Sequence, residues 1–180
     1  MILDTHYQDL VRIILMNQTL DQLLSLAEQQ AHLVLLGLKA PELVPSWAFI
    51  QPDGKAHVLA TPFANEDQKD ATVAYVKAWM KNHGTVAYSF LCEAWTATLS
   101  PEEWNPESGK PIPVADQPRN RVDRIEVVWA MATDDKESQY RQWQIVRGWK
   151  GEVVGLAPQS STSEEGTTQA PEGRFMGLLS

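Results

Sequence analysis

Glu93 stands in the middle of Ser89-Phe90-Leu91-Cys92-Glu93-Ala94-Trp95, a run otherwise suited to a central strand. Burying an unpaired carboxylate is expensive, so Glu93 needs a partner, an opening to water, or a raised pKa. Arg124 and Glu126 are two residues apart, and on a strand they share the face opposite Ile125, Val127 and Trp129. If the two strands are neighbours, Glu93, Arg124 and Glu126 form a polar cluster on one sheet. One chemistry that fits is a carboxylate pair, Glu93 with Glu126, for acid–base work or metal binding in a small hydrolase-type enzyme. The competing reading is a salt-bridged network on the solvent side of a one-sided sheet, since structural ion pairs also gather charges.

Other chemistry has less support. His6, His32, His57 and His83 show no metal-ligand spacing and none lies near a cysteine, so no metal site is expected. Cys92 adjoins Glu93, but alternation sends the two side chains to opposite faces, and Cys92 reads as a small core residue. The chain contains no GxSxG, Walker A or GxGxxG motif, so no cofactor is expected. Seven tryptophans are present. Trp104, in a long connection, is a candidate interface anchor, and Trp149 lies near the end of the last predicted strand.

The elements that must position these residues follow from the pattern. Apolar residues at Leu10, Ile13 and Ile14 predict a helix over His6 to Met16. Thr19-Leu20-Asp21-Gln22 has the form of a capping box and opens a second helix to about Leu36. Its stripe is Leu20, Leu23, Leu24, Ala27 and Ala31, with Gly37 as C-cap. Ser46 to Ile50 and Lys55 to Ala60 flank Pro52-Asp53-Gly54 and predict a hairpin. Asn65 to Gln68 is another capping box, starting a helix to about Asn82 with Thr72, Val73, Val76, Trp79 and Met80 inward. Val86 to Leu99 predicts a central strand. Arg121 to Thr133 and Gln139 to Arg147 predict a second hairpin, with Ile125, Val127, Trp129 and Met131 on the same side as Trp143 and Ile145. Ser100 to Asn120, rich in proline and glutamate, is a long connection.

These signals give an α+β domain over residues 1–155, an antiparallel sheet of about five strands with helices packed mainly on one face. Residues 156–180 form a polar low-complexity tail with an apolar tip. Phe175, Met176 and Leu178 in that tip are candidates for docking on a partner or on the chain's own domain. A net charge of −8 argues against a nucleic-acid partner. An acidic mimic of nucleic acid fits poorly, because acidic and basic residues are interleaved. A single cysteine and no long apolar run point to a cytoplasmic protein without a membrane span. A protein partner is expected, and a homo-oligomer is compatible with everything above.

The order of a Pro-x-Trp-Ala-Phe-Ile strand, an Asp-Gly turn, a helix, Glu93-Ala94-Trp95 and Val122-Asp123-Arg124-Ile125-Glu126 resembles uncharacterised small α+β proteins of bacteria, archaea and their phages. The resemblance covers roughly Pro45 to Arg147. It singles out Glu93, Trp95, Arg124 and Glu126 and implies no particular reaction. The expectation carried forward is an accessory or interaction protein, encoded by a phage or mobile element.

Overall fold

The computed structural model describes residues 19–96, 104–105, 110–111, 122–159 and 178–179. Helix α1 covers residues 19–31 and runs into a π-helical turn, His32–Gly37. Strands β1 (Ser46–Ile50) and β2 (Ala56–Ala60) form the first hairpin, followed by helix α2 (Glu66–His83) and strand β3 (Ala87–Thr96). A two-residue ladder, β4 (Trp104–Asn105) with β5 (Lys110–Pro111), lies within the long connection. Strands β6 (Ile125–Asp134), β7 (Ser138–Arg147) and β8 (Val153–Pro158) complete the main sheet.

That sheet has six strands in the order β2-β1-β3-β6-β7-β8, every neighbouring pair antiparallel. The α+β class with an antiparallel sheet therefore holds, with six strands in place of about five. The additional strand is β8, so Leu156 to Pro158 belong to the sheet and the polar stretch begins after them.

The helices divide between the two faces instead of gathering on one. Leu20, Leu23, Leu24, Ala27, Ala31 and Leu35 of α1 and its π turn pack on Ala48, Leu91, Val128, Ala130, Trp143 and Ile145. Val76 and Met80 of α2 pack on the other face, against Trp47, Phe49, Tyr88, Phe90 and Met131. The physical reason lies in β3 and β6. Tyr88, Phe90 and Leu91, like Val127, Val128, Ala130, Met131 and Ala132, are buried on alternate sides, so both faces need cover.

This arrangement corrects the expected β6–β7 register. Val128, not Val127, sits opposite Trp143, and Trp129 sits opposite Gln142. Trp143 and Ile145 face α1, whereas Trp129 and Met131 face α2. Alternation could not locate the inward side of β6, because both of its sides are apolar; the turn decides. Asp134 accepts from the backbone N–H groups of Lys136 and Glu137 at 2.7 and 2.9 Å, and Thr133 Oγ1 lies 2.7 Å from Ser138 Oγ. These contacts fix Thr133 opposite Ser138.

Side-chain hydrogen bonds tie α1 to the sheet and cap α2. Arg141 on β7 reaches Asp21 and Glu28 of α1, and Trp143 Nε1 donates to Glu28 at 3.2 Å. Helix α2 begins as predicted, with Asn65 accepting from Gln68 N at 2.9 Å, and ends at Gly84 with φ 63°. The expected C-cap of α1 shifts: Gly37 stays inside the π turn, and Lys39 takes the left-handed conformation at φ 53°.

The tip of the tail returns to its own domain. Leu178 is buried in the α2-side core, and its backbone N–H donates to Tyr88 Oη at 3.4 Å. Burial pushes the Tyr88 phenol up to about 12, so this hydroxyl stays protonated across the physiological range. Replacing Leu178 by Asp should undock the tip and lower stability by roughly 1–3 kcal/mol, the scale of removing one buried aliphatic side chain. Thermal unfolding checks this, and an unchanged melting temperature would contradict the docking.

Candidate functional site

The register of β3 on β6 places Trp95 directly opposite Glu126 and Glu93 opposite Val128. Glu93, Trp95 and Glu126 thus share the α1 face of the sheet. They lie toward the C-terminal end of β3, where Leu43, from the segment after the π turn, reaches the sheet. The sequence made a shared cluster of Glu93 and Glu126 conditional on the two strands being neighbours; β3 and β6 do pair, and their register puts both residues on one face. The partner of Glu126 differs.

Glu126 is held by Arg147 on β7, not by Arg124. Arg147 Nε donates to Glu126 Oε2 and Nη2 to Oε1, both at 2.6 Å, a fork-to-fork pair. The third nitrogen, Nη1, donates to the carbonyl of Gly151 at 3.0 Å and ties the β7–β8 turn to the same pair. The hydrogen bond to Glu126 raises the guanidinium pKa above its ordinary value, although burial opposes this. Arg124 instead lays its guanidinium over the Trp95 ring, 4.7 Å from the centroid.

Glu93 has a backbone partner. Its Oε1 accepts from Leu43 N at 2.8 Å, so the carboxylate fastens the segment leaving α1 onto strand β3. Half-burial pushes its pKa up; the Leu43 N–H pulls it back, and the negative charge of Glu126 adds to the rise. The two carboxylates therefore have different jobs. Glu126 is neutralised by two parallel guanidinium donors, while Glu93 is a half-desolvated acceptor that resists ionisation.

Beyond Arg147 the surface opens into a cleft of about 710 Å³ between the π turn and the β7–β8 turn. Leu35, Leu36 and Val153 line its wall, with Lys39, Arg147 and Lys150 as its cations and Glu152 as its acid. Glu152 is itself fixed, accepting from Lys150 N at 3.0 Å. Trp149 stands 89% exposed at the cleft's turn with Lys150 Nζ 4.7 Å from its ring centroid, and Leu38 is 71% exposed nearby in sequence. A left-handed lysine costs roughly 1–2 kcal/mol relative to an ordinary helical conformation. The π turn and this strained lysine occur together at the cleft, which is where such features concentrate in functional sites.

The remaining predicted residues fall elsewhere. Trp104 lies in β4, and Phe175 and Met176 lie outside the described residues, as does the predicted helix over His6 to Met16. Leu178 is buried against its own sheet. Cys92 is pushed up to about 12 by burial, which leaves it a thiol with no nucleophilic character near neutral pH. No group of three or more His, Cys, Asp or Glu residues among the described ones is arranged to hold a metal ion. His57 and His83 flank the Trp79 ring at 5.6 and 4.0 Å between centroids, and His83 Nδ1 bonds to the Trp79 carbonyl. They serve as aromatic packing and a helix end.

Sequence reasoning passed over Arg147 and Lys39, and placed Trp149 near the end of the last predicted strand without assigning it to a site. Arg147 shares parity with Trp143 and Ile145, so the mistaken register put it on the wrong face. No family model, curated protein or solved structure matches this chain.

Glu93→Ala should orphan the Leu43 N–H and destabilise by about 1–3 kcal/mol, whereas Glu93→Gln keeps an acceptor there. The raised pKa sets the pH dependence. A carboxyl that binds its proton more tightly when folded contributes stability at low pH, and that contribution is lost as pH rises through the folded pKa. Glu93→Gln should therefore gain on the parent as pH rises from the ordinary carboxylate range upward. Denaturant titrations at a series of pH values test this; a difference independent of pH would contradict it.

Proposed function

We propose that this chain is a non-catalytic accessory protein that works by binding another protein. The observation that carries this reading is the bidentate clamp of Arg147 on Glu126. A carboxylate with both oxygens engaged by a guanidinium is a poor base, and its neighbour Glu93 is fastened to the Leu43 backbone. The acidic constellation is thereby used in joining strands β3, β6 and β7 to the segment behind α1.

A binding surface is available beside it. Trp149, Leu38 and the apolar wall of the cleft offer aromatic and aliphatic anchors, and Lys39 and Lys150 rim them. Buried aromatic anchors ringed by polar groups carry most of the energy of protein–protein contacts. Lysines on a chain of net charge −8 favour a partner with acidic residues at this point. No helix among the described residues is long and apolar enough to cross a membrane. The resemblance to uncharacterised α+β proteins of bacteria, archaea and phages accords with an accessory role in a phage or mobile element.

The enzyme alternative, a hydrolase using Glu93 and Glu126, rests on the upward pKa shift of Glu93 beside a second carboxylate. Affinity capture separates the two readings, with the full chain and its Trp149→Ala variant as baits in extract of the source cell. The proposal expects a specific protein retained by the parent and weakened tenfold or more by Trp149→Ala. The melting temperature of that variant should stay unchanged, because exposed side chains contribute little to folding. No retained protein, together with hydrolysis of an ester or glycoside panel that Glu126→Gln abolishes, would establish the enzyme instead.

A further inference from the structure

The two edges of the six-stranded sheet are treated differently. Strand β8 packs beside the π turn, with Val153 and Leu156 on the α1-side core. Strand β2, the other edge, is exposed along almost its whole length. Its sequence is Ala56-His57-Val58-Leu59-Ala60: no acidic residue, no lysine or arginine, no proline, and a register on β1 without a bulge. Exposed edges of natural sheets are ordinarily blunted by one of these devices, because an open edge recruits another strand. Here none is present, and Val58 is 58% exposed.

The hydrogen-bond phase of the hairpin shows what the open edge presents. Gln51 N donates to Lys55 O at 2.9 Å and Thr61 N to Pro45 O at 2.8 Å. The pairs that bond across this hairpin are therefore the odd-numbered ones, including Phe49 with His57 and Trp47 with Leu59. Ala56, Val58 and Ala60 consequently direct their N–H and C=O groups away from β1. Among the described residues no strand receives them.

We infer that β2 pairs antiparallel with β2 of a second copy of this chain, about a two-fold axis at Val58, to give a continuous twelve-stranded sheet. The edge is self-complementary in that register. Val58 faces Val58 of the second copy and Ala56 faces its Ala60, so that every outward donor of the three residues meets an outward acceptor. On the α1 side the contact is one β-branched pair between alanines, a favourable cross-strand arrangement that leaves no bulky side chain in the way. On the α2 side His57 meets Leu59. Lys55 lies opposite Thr61, so no like charges are opposed, and the nearest acid, Asp53, is already paired with Lys55 at 2.6 Å. A charged or bulky foreign strand would find no complementary group on this edge, whereas a second copy supplies both the register and the neutral side chains. Five residues a side make a small interface, which places the dissociation constant in the micromolar-to-millimolar range.

Sedimentation equilibrium of the full chain tests this across that concentration range. The 20.2 kDa monomer should give way to a species of twice that mass as concentration rises. Added salt should increase the dimer fraction, because it screens repulsion between two chains of charge −8 at a contact that contains no ion pair. Val58→Lys and Val58→Pro should both remain monomeric and folded, since the N–H that proline removes is not used by β1. In the parent, amide exchange at Ala56, Val58 and Ala60 should slow with concentration, with no such change at His57 and Leu59. That last measurement needs no variant. A parent that stays monomeric throughout the range, or variants that dimerise as the parent does, would overturn the inference.

Discussion

The structure depends on one constraint: over the first six pairs of β3 with β6, from Ala87 opposite Asp134 to Cys92 opposite Trp129, the antiparallel pairing is largely apolar on both sides. A strand pair of that kind cannot expose either face to water without losing the hydrophobic term that dominates folding. Two independent covers are therefore required. Helix α1 supplies one, fixed by Arg141 and Trp143 on β7, and α2 supplies the other, completed by Leu178 from the tail. The tip of the tail is thus part of the domain's own packing. Its burial removes Leu178 from any surface a partner would meet.

The polar cluster occupies the place where this cover runs out. Toward the end of β3 the inward positions change from Leu91 to Glu93 and Trp95, and in β6 from Val128 to Glu126. These groups lie close enough to the core to be partly desolvated and close enough to solvent to be tolerated as charges. Each then acquires a fixed partner: Leu43 N for Glu93, Arg147 for Glu126, and the Trp95 ring for Arg124. Together they join three strands, the segment leaving α1 and the β7–β8 turn. The cleft next to them inherits its rim from the same contacts, since Arg147 and Gly151 line it.

How much of this was legible in the sequence follows from how local each signal is. Both ends of α2 were legible, because Asn65, Gln68 and Gly84 act within a few residues of themselves. The stripe of α1 was legible for the same reason, and so was the hairpin around Asp53-Gly54. The face of β6 was not: with Val127 and Val128 both buried, periodicity carries no information, and the Thr133–Ser138 turn sets the register. That single-residue difference concealed the Arg147–Glu126 pair and made Arg124 seem the natural partner. The π turn was equally hidden. Its Leu38 N to Leu33 O bond at 2.8 Å and the left-handed Lys39 depend on where the next segment must go, and Glu93 fixes that by holding Leu43. Strand β8 was missed because its core-side contacts are few and its composition merges into the polar stretch that follows.

The central claim is that Glu126 and Arg147 form a structural clamp. A double-mutant cycle on folding stability tests it most directly, using Glu126→Ala, Arg147→Ala and the double variant. A clamp predicts that the two substitutions are strongly non-additive, with a coupling of about 1 kcal/mol or more for a bidentate, partly buried pair. Additivity to within about 0.3 kcal/mol would mean that the two groups do not depend on each other. The carboxylate would then be available for other chemistry, contrary to this account.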